Sequence, residues 1–215
     1  MRVLVLAPHP DDMEYGLGGT IAKMQDKWEV TCNITCSLVD YARQGEGWVG
    51  TRFQDAENAA EVLGVQLRWG CWFEENLGSP VDRGELVKAI EEEIKLLEPH
   101  LLFVCAPSVN QDHQLLYEAT MTAIRKVGKF PYLSGIYAYE YPETHVVSDI
   151  PPYGRMYSKL STKALTTKLQ ALALHTTQCK TTDSDYFQVS TMAASRGFEC
   201  GAEHAEKFLV IKEIT

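Results

Sequence analysis

Arg2-Val-Leu-Val-Leu-Ala-Pro-His-Pro-Asp-Asp12 is an apolar run interrupted by two prolines and closed by two acids. After Arg2 the run has no polar side chain before His9, the pattern of a central parallel strand covered on both faces. Pro8 and Pro10 lack the backbone donor that a strand ladder requires, so the strand stops there. In open α/β sheets, ligand sites form just beyond the carboxyl ends of strands. His9, Asp11 and Asp12 are thus placed where such sheets do their chemistry. An imidazole nitrogen and a carboxylate oxygen suit a borderline ion such as Zn²⁺, and a catalytic zinc takes three protein ligands and keeps one position open.

Outward from this stretch the chain alternates between strand and helix patterns. After a strand at 2–7, the spacing predicts a helix at 14–26, a strand within 28–36 and a polar loop over 40–50. A helix at 51–63 stops at Gly64, a strand follows at 65–69, and a long amphipathic helix at 81–97 is closed by Pro99. The buried-strand pattern returns at 101–106, followed by a helix at 111–127 and a strand at 134–140. The segment 141–152 carries three prolines and reads as an irregular loop, before helices at 161–176 and 185–196 and a last strand at 207–213. No repeat, linker or low-complexity stretch divides the chain. Strands alternating with helices of this length imply an α/β fold: one domain over residues 1–215, a Rossmann-like three-layer α/β/α sandwich with a mainly parallel sheet.

The same logic brings in Asp112 and His113. They follow the strand at 101–106, so they arrive at the edge already occupied by His9 and Asp12. A plainer account of the first cluster is helix capping, which Asp does without any metal. Gly16-Leu-Gly-Gly19 lacks the Gly-x-Gly-x-x-Gly spacing of a dinucleotide loop and is better explained by close helix packing. The six cysteines include no Cys-x-x-Cys pair, and Cys32, Cys36 and Cys105 lie in apolar runs where a free thiol behaves as a small hydrophobe.

His9-Pro-Asp-Asp12, followed by Glu14 and Gly16-Leu-Gly-Gly-Thr20, resembles the signature of the PIG-L/LmbE-like deacetylases. Further likenesses follow in order: Arg52 with Ala59-Ala60-Glu-Val-Leu-Gly-Val65, Pro107 through Asn110-Gln-Asp-His113, and Glu118-Ala-Thr120. Lys168-x-x-Ala-Leu172-x-x-His175-x-x-Gln178 and Ala205-Glu-Lys-Phe208 resemble the C-terminal blocks. The resemblance implies a zinc enzyme that removes acetyl groups from N-acetylated sugars, mostly N-acetylglucosamine conjugates. It implies His9, Asp12 and His113 as metal ligands and Asp11 as general base, and it supports Asp112 as an outer positioning group. Many relatives carry a second histidine three residues before the metal-binding one, where this chain has Asn110. An amide can donate a hydrogen bond to an oxyanion but cannot deliver a proton. His145, in the proline-rich segment, is the candidate stand-in, and Arg52 and Asp40 are the candidate substrate contacts. A His₂-carboxylate set accepts Fe²⁺ as well as Zn²⁺. Two other readings fit the same residues: a zinc amidase with a wider pocket, and a metal-retaining sugar-binding relative that lost turnover. Asp11 argues against the second, because a binding-only site has no need of a base.

Composition narrows the partners. A formal charge of −9 argues against a nucleic-acid surface, which requires basic patches. No apolar run approaches the ~20 residues needed to span a bilayer. The chain starts directly on a strand with no apolar leader, so a cytoplasmic location is expected. The expected partner is a small N-acetylated sugar, and the resemblance allows a homo-oligomer.

Overall fold

The computed structural model describes residues 1–35, 46–70, 82–126, 128–142, 154–176 and 183–214. Its centre is a seven-stranded sheet in the order β3-β2-β1-β4-β5-β7-β6. The strands are β1 (Arg2–Ala7), β2 (Glu29–Ile34), β3 (Val65–Trp69), β4 (Leu101–Cys105), β5 (Gly135–Tyr139), β6 (Gly154–Leu160) and β7 (His204–Glu213). The first five are parallel to one another, while β7 runs antiparallel to both β5 and β6. This is the expected three-layer α/β fold, and its mainly parallel sheet spans both halves of the chain.

Six helices are described: α1 (Asp12–Met24), α2 (Glu46–Leu63), α3 (Arg83–Leu97), α4 (Gln111–Ala123), α5 (Thr162–Ala173) and α6 (Asp183–Cys200). α1 packs against α5 and α2, α3 packs against α4, and α6 lies on β7. Right-handed crossovers require this segregation, because the connections run one way from β1 to β3 and the other way from β4 to β5. An aromatic cluster sits within an otherwise mainly aliphatic core. Phe103 stacks on Tyr137 at 5.2 Å between ring centres and meets Phe208 edge-on at 5.3 Å.

Gly16 and Gly19 serve packing, as expected. A β-carbon at Gly16 would lie 2.0 Å from Tyr139 Cδ2, and one at Gly19 would lie 2.6 Å from Leu160 Cδ1. Their absence lets α1 settle directly onto the sheet.

Several elements differ from expectation. α2 begins at Glu46 rather than 51, because Gly47 and Gly50 read as loop signals but lie within the helix. α4 ends at Ala123 rather than 127, and α6 spans Asp183–Cys200 rather than 185–196. α1 begins at Asp12, not at 14, because Asp11 already sits at the cap position. β6 was not expected at all: Gly154-Arg-Met-Tyr-Ser-Lys-Leu160 is an edge strand, largely exposed or half-buried. It lacks the apolar run that marks a covered strand, and its order comes from pairing with β7 from Gly154↔Val210 to Leu160↔His204. That pairing also starts β7 earlier than 207.

Candidate metal centre

The site forms where strand order reverses. β1 lies between β2 and β4, so the loops after β1 and β4 diverge to opposite faces and leave a crevice at their carboxyl ends. His9, Asp11 and Asp12 enter it from β1, and Asp112 and His113 enter it on the first turn of α4.

Asp11 adopts φ 118°, a left-handed conformation that costs a non-glycine residue about 1–3 kcal/mol and clusters at functional sites. It occupies the N-cap position of α1, yet its side chain makes no capping hydrogen bond. Asp12 does not cap either, since its Oδ2 accepts the backbone N–H of His9 at 2.9 Å and closes the proline-flanked turn. The capping account of this motif therefore fails.

Asp12 lies between two imidazoles. His9 Nδ1 is 3.2 Å from its Oδ2, and His113 Nε2 is 3.4 Å from its Oδ1. One donor atom from each of the three residues lies within 4.8 Å of the others. The ring nitrogens facing away from this cluster are also engaged. His9 Nε2 lies 2.9 Å from Asp112 Oδ2, and His113 Nδ1 lies 3.1 Å from Ser108 Oγ. Such outer partners fix ring orientation and tautomer, and so aim the inner nitrogens at a common point. Two oriented imidazoles and a carboxylate fit a divalent ion of the zinc or ferrous type.

Electrostatics follow from burial. Desolvation opposes the charge of Asp12, but hydrogen bonds from His113 and His9 hold its carboxyl well below the usual carboxylate range. Desolvation also disfavours charge on His9, yet the bonds to Asp112 and Asp12 raise it to about 10. Asp11 is pushed up to about 7, first by burial and then by the neighbouring charge of Asp12, against the opposing pull of His175, Arg52 and His9.

The remaining candidates fall out unevenly. Arg52 is buried rather than a solvated helix charge. Its Nη2 donates to Pro10 O at 3.2 Å and stands 3.9 Å from Asp11 Oδ2. Asn110 caps α4, its Oδ1 accepting the Asp112 N–H at 2.8 Å. Asp40 and His145 lie outside the described residues. Of the cysteines, Cys32 and Cys105 are buried and free.

Sequence reasoning missed Ser108, which is fully buried and also accepts the Asn110 N–H at 3.1 Å. A serine two residues before a capping asparagine is a turn signal that could have flagged it. His175 was seen only as part of a weak C-terminal pattern. It is buried, with Nε2 3.4 Å from Glu14 Oε1, and burial pulling it down is outweighed by Glu14 pulling it up.

An α/β sandwich with a His-Asp-His cluster in its crevice defines a class of protein able to hold a divalent metal at the carboxyl edge of its sheet. The chain is a member of the PIG-L family, whose profile, described as GlcNAc-PI de-N-acetylase, matches residues 4–124. As such it is a hydrolase acting on an amide bond. It is 25% identical over 179 residues to the uncharacterized deacetylase YaiS of Escherichia coli K12, covering 80% of this chain and 89% of that protein. It is 26% identical over 193 residues to a probable N-acetyl-alpha-D-glucosaminyl L-malate deacetylase 2 of Bacillus anthracis, covering 84% and 82%. Among solved structures, a zinc-inhibited form of teicoplanin deacetylase Orf2 superposes with a TM-score of 0.77 over 98% of this chain and 97% of its own, at 16% identity. At that identity the superposition speaks for the fold alone.

Proposed function

We propose that this protein hydrolyses the N-acetyl group of an N-acetylglucosamine-type amino sugar or its conjugate, giving acetate and a free amine. The observation that carries this reading is the convergence of His9, Asp12 and His113 on one point, with the buried, strained carboxylate of Asp11 alongside. His9, Asp12 and His113 would hold the ion, with Zn²⁺ the first candidate and Fe²⁺ the alternative. When bound, such an ion supplies Lewis acidity toward water and toward the acetyl carbonyl oxygen. Asp11 accepts the proton of the attacking water and returns it to the departing amine. Arg52 steadies the Pro10–Asp11 turn, so that the base stays aimed at the crevice. Asp112 and Ser108 keep the two imidazoles in register. Asn110 spends its oxygen on the helix cap, and its amide N–H remains to donate to the developing oxyanion.

No helix among the described residues is long and apolar enough to cross a membrane. A small sugar substrate met in the cytoplasm is the setting we propose. The test is acetate release from a panel of N-acetylglucosamine conjugates by zinc-reconstituted protein, metal-free protein and His113→Ala. Release that requires zinc and disappears in the variant is expected. Stoichiometric metal without release from any conjugate would reject the deacetylase reading, and failure to bind metal would reject the site.

A further inference from the structure

The crevice has two unlike flanks, set by strand order. Arg52 enters from α2, which follows β2, and stands beside Asp11. Tyr141 enters after β5, on the far side of β4, and stands beside His113. Along the carboxyl edge the order is therefore Arg52, Asp11, the metal cluster, His113, Tyr141.

The Tyr141 flank is an aromatic wall. The Tyr141 ring meets His113 edge-on, 4.9 Å between centres at 84°. It also meets the Tyr15 ring, at 5.4 Å and 71°. Tyr15 stands three residues after Asp12 on α1, hence on the same helix face as that ligand. Both tyrosines are only half-buried, so the wall is not sealed inside the core.

The wall is also braced. Lys168 Nζ donates to Tyr15 O at 2.7 Å and pairs with Glu206 Oε1 at 2.6 Å. Glu206 in turn accepts the N–H groups of Gly19 and Thr20, pinning α1 behind the wall. Glu140, the residue before Tyr141, is held by Arg196 at 2.7 Å and Lys207 at 2.6 Å. These bonds anchor the chain behind each ring, and an aromatic face so anchored beside His113 can discriminate by shape.

Resting on the deacetylase reading, we propose that Tyr141, backed by Tyr15, is the wall of the acyl subsite and limits the enzyme to short acyl groups. Asp11 returns its proton to the amine, so the amine and the sugar it bears lie on the Asp11–Arg52 flank. The acyl substituent leaves the same carbonyl carbon on the other side, toward His113 and Tyr141. That side presents the faces and edges of aromatic rings, on which a methyl group can pack, whereas the Asp11 flank carries the Asp11 and Arg52 charges.

The test compares acetohydroxamate with butyrohydroxamate, chelating probes that carry the acyl chain without needing turnover, on zinc-loaded protein. Wild type is expected to prefer the acetyl probe by at least about tenfold, the scale of discrimination that added methylenes produce in a tight pocket. Tyr141→Ala should collapse that preference to about threefold or less, while Tyr141→Phe, which keeps the ring, preserves it. Zinc content and melting temperature check that the variants fold, and Tyr141→Leu serves if the alanine variant does not. Equal binding of both probes by wild type, binding of neither, or an unchanged preference in the truncated variants would overturn the proposal. The same comparison of N-acetyl- with N-butyryl-glucosamine as substrates separates the two readings. If neither substrate is cut, the deacetylase reading fails while the probe ratio still judges the wall.

Discussion

Asp11 combines three costs in one residue: a left-handed backbone, full burial and a like charge next door at Asp12. Such combinations cluster at functional sites, and the proposed reading makes this carboxylate the base. Replacing it with Asn keeps size and hydrogen bonding but removes the proton acceptor, so Asp11→Asn should lose about 10²–10⁴-fold in kcat. Its zinc content, measured by atomic absorption, should remain at wild-type level, since Asp11 is outside the ligand cluster. A parallel loss of metal would instead make Asp11 a ligand. His9 yields a second prediction with a definite sign. In the metal-free protein its imidazole is raised to about 10, so at neutral pH it carries a proton that metal must displace. Metal uptake should therefore release a proton, and affinity should climb by about tenfold per pH unit from pH 7 toward 9. Calorimetry in buffers of different ionisation enthalpy measures this directly, and metal binding with no proton release would remove His9 from the ligand set. The crowding of His9, Asp11 and Asp12 at a strand end was legible in the sequence, while their separate roles came from the family resemblance. Ser108 was not, because its role depends on a ring nitrogen five residues away whose direction only the fold defines.

At the scale of elements, α1 is held by close approach on one face and by a buried charge pair on another. Alanine normally suits a helix interior better than glycine by roughly 0.5–1 kcal/mol. At Gly16 the sign should invert, because the added carbon would overlap the ring of Tyr139, which is fully buried and bonded through its hydroxyl to Leu6 O at 3.1 Å. Gly16→Ala is expected to cost about 1–3 kcal/mol, the usual penalty for overpacking. For a chain of this size that is a fall of about 2–10 °C in Tm by calorimetry. A neutral or stabilising result would mean that α1 can lift from the sheet. Lys168→Met should cost more, about 3–5 kcal/mol, since it strands the Glu206 carboxylate in a site where both partners are buried. Helix periodicity and the apolar strands were readable because each encodes its own burial. β6 was not, since an edge strand is specified by its partner β7, and nothing within Gly154–Leu160 records that partner.

For the molecule as a whole, the cluster ties together two halves of the sheet that the chain builds separately. His9 and Asp12 belong to the β1 side and His113 to the β4 side, about a hundred residues apart, and the helices after them lie on opposite faces. Beyond the β1–β4 ladder, the two sides meet in the crevice, where two imidazoles lean on a single carboxylate at 3.2 and 3.4 Å. An ion bound only by the folded protein adds RT ln(1 + [L]/Kd), about 2.7 kcal/mol at a hundredfold excess over Kd. Chelation should therefore lower Tm by about 5–10 °C in a chain of this length. His113→Ala separates this linkage from general ionic effects. It should melt at one temperature with or without zinc, whereas wild type should show two. If both proteins respond alike, the metal is binding elsewhere on an acidic surface, and the junction between β1 and β4 is held by its strand ladder and packing. If only wild type responds, the stabilisation is assigned to the crevice, independently of any substrate.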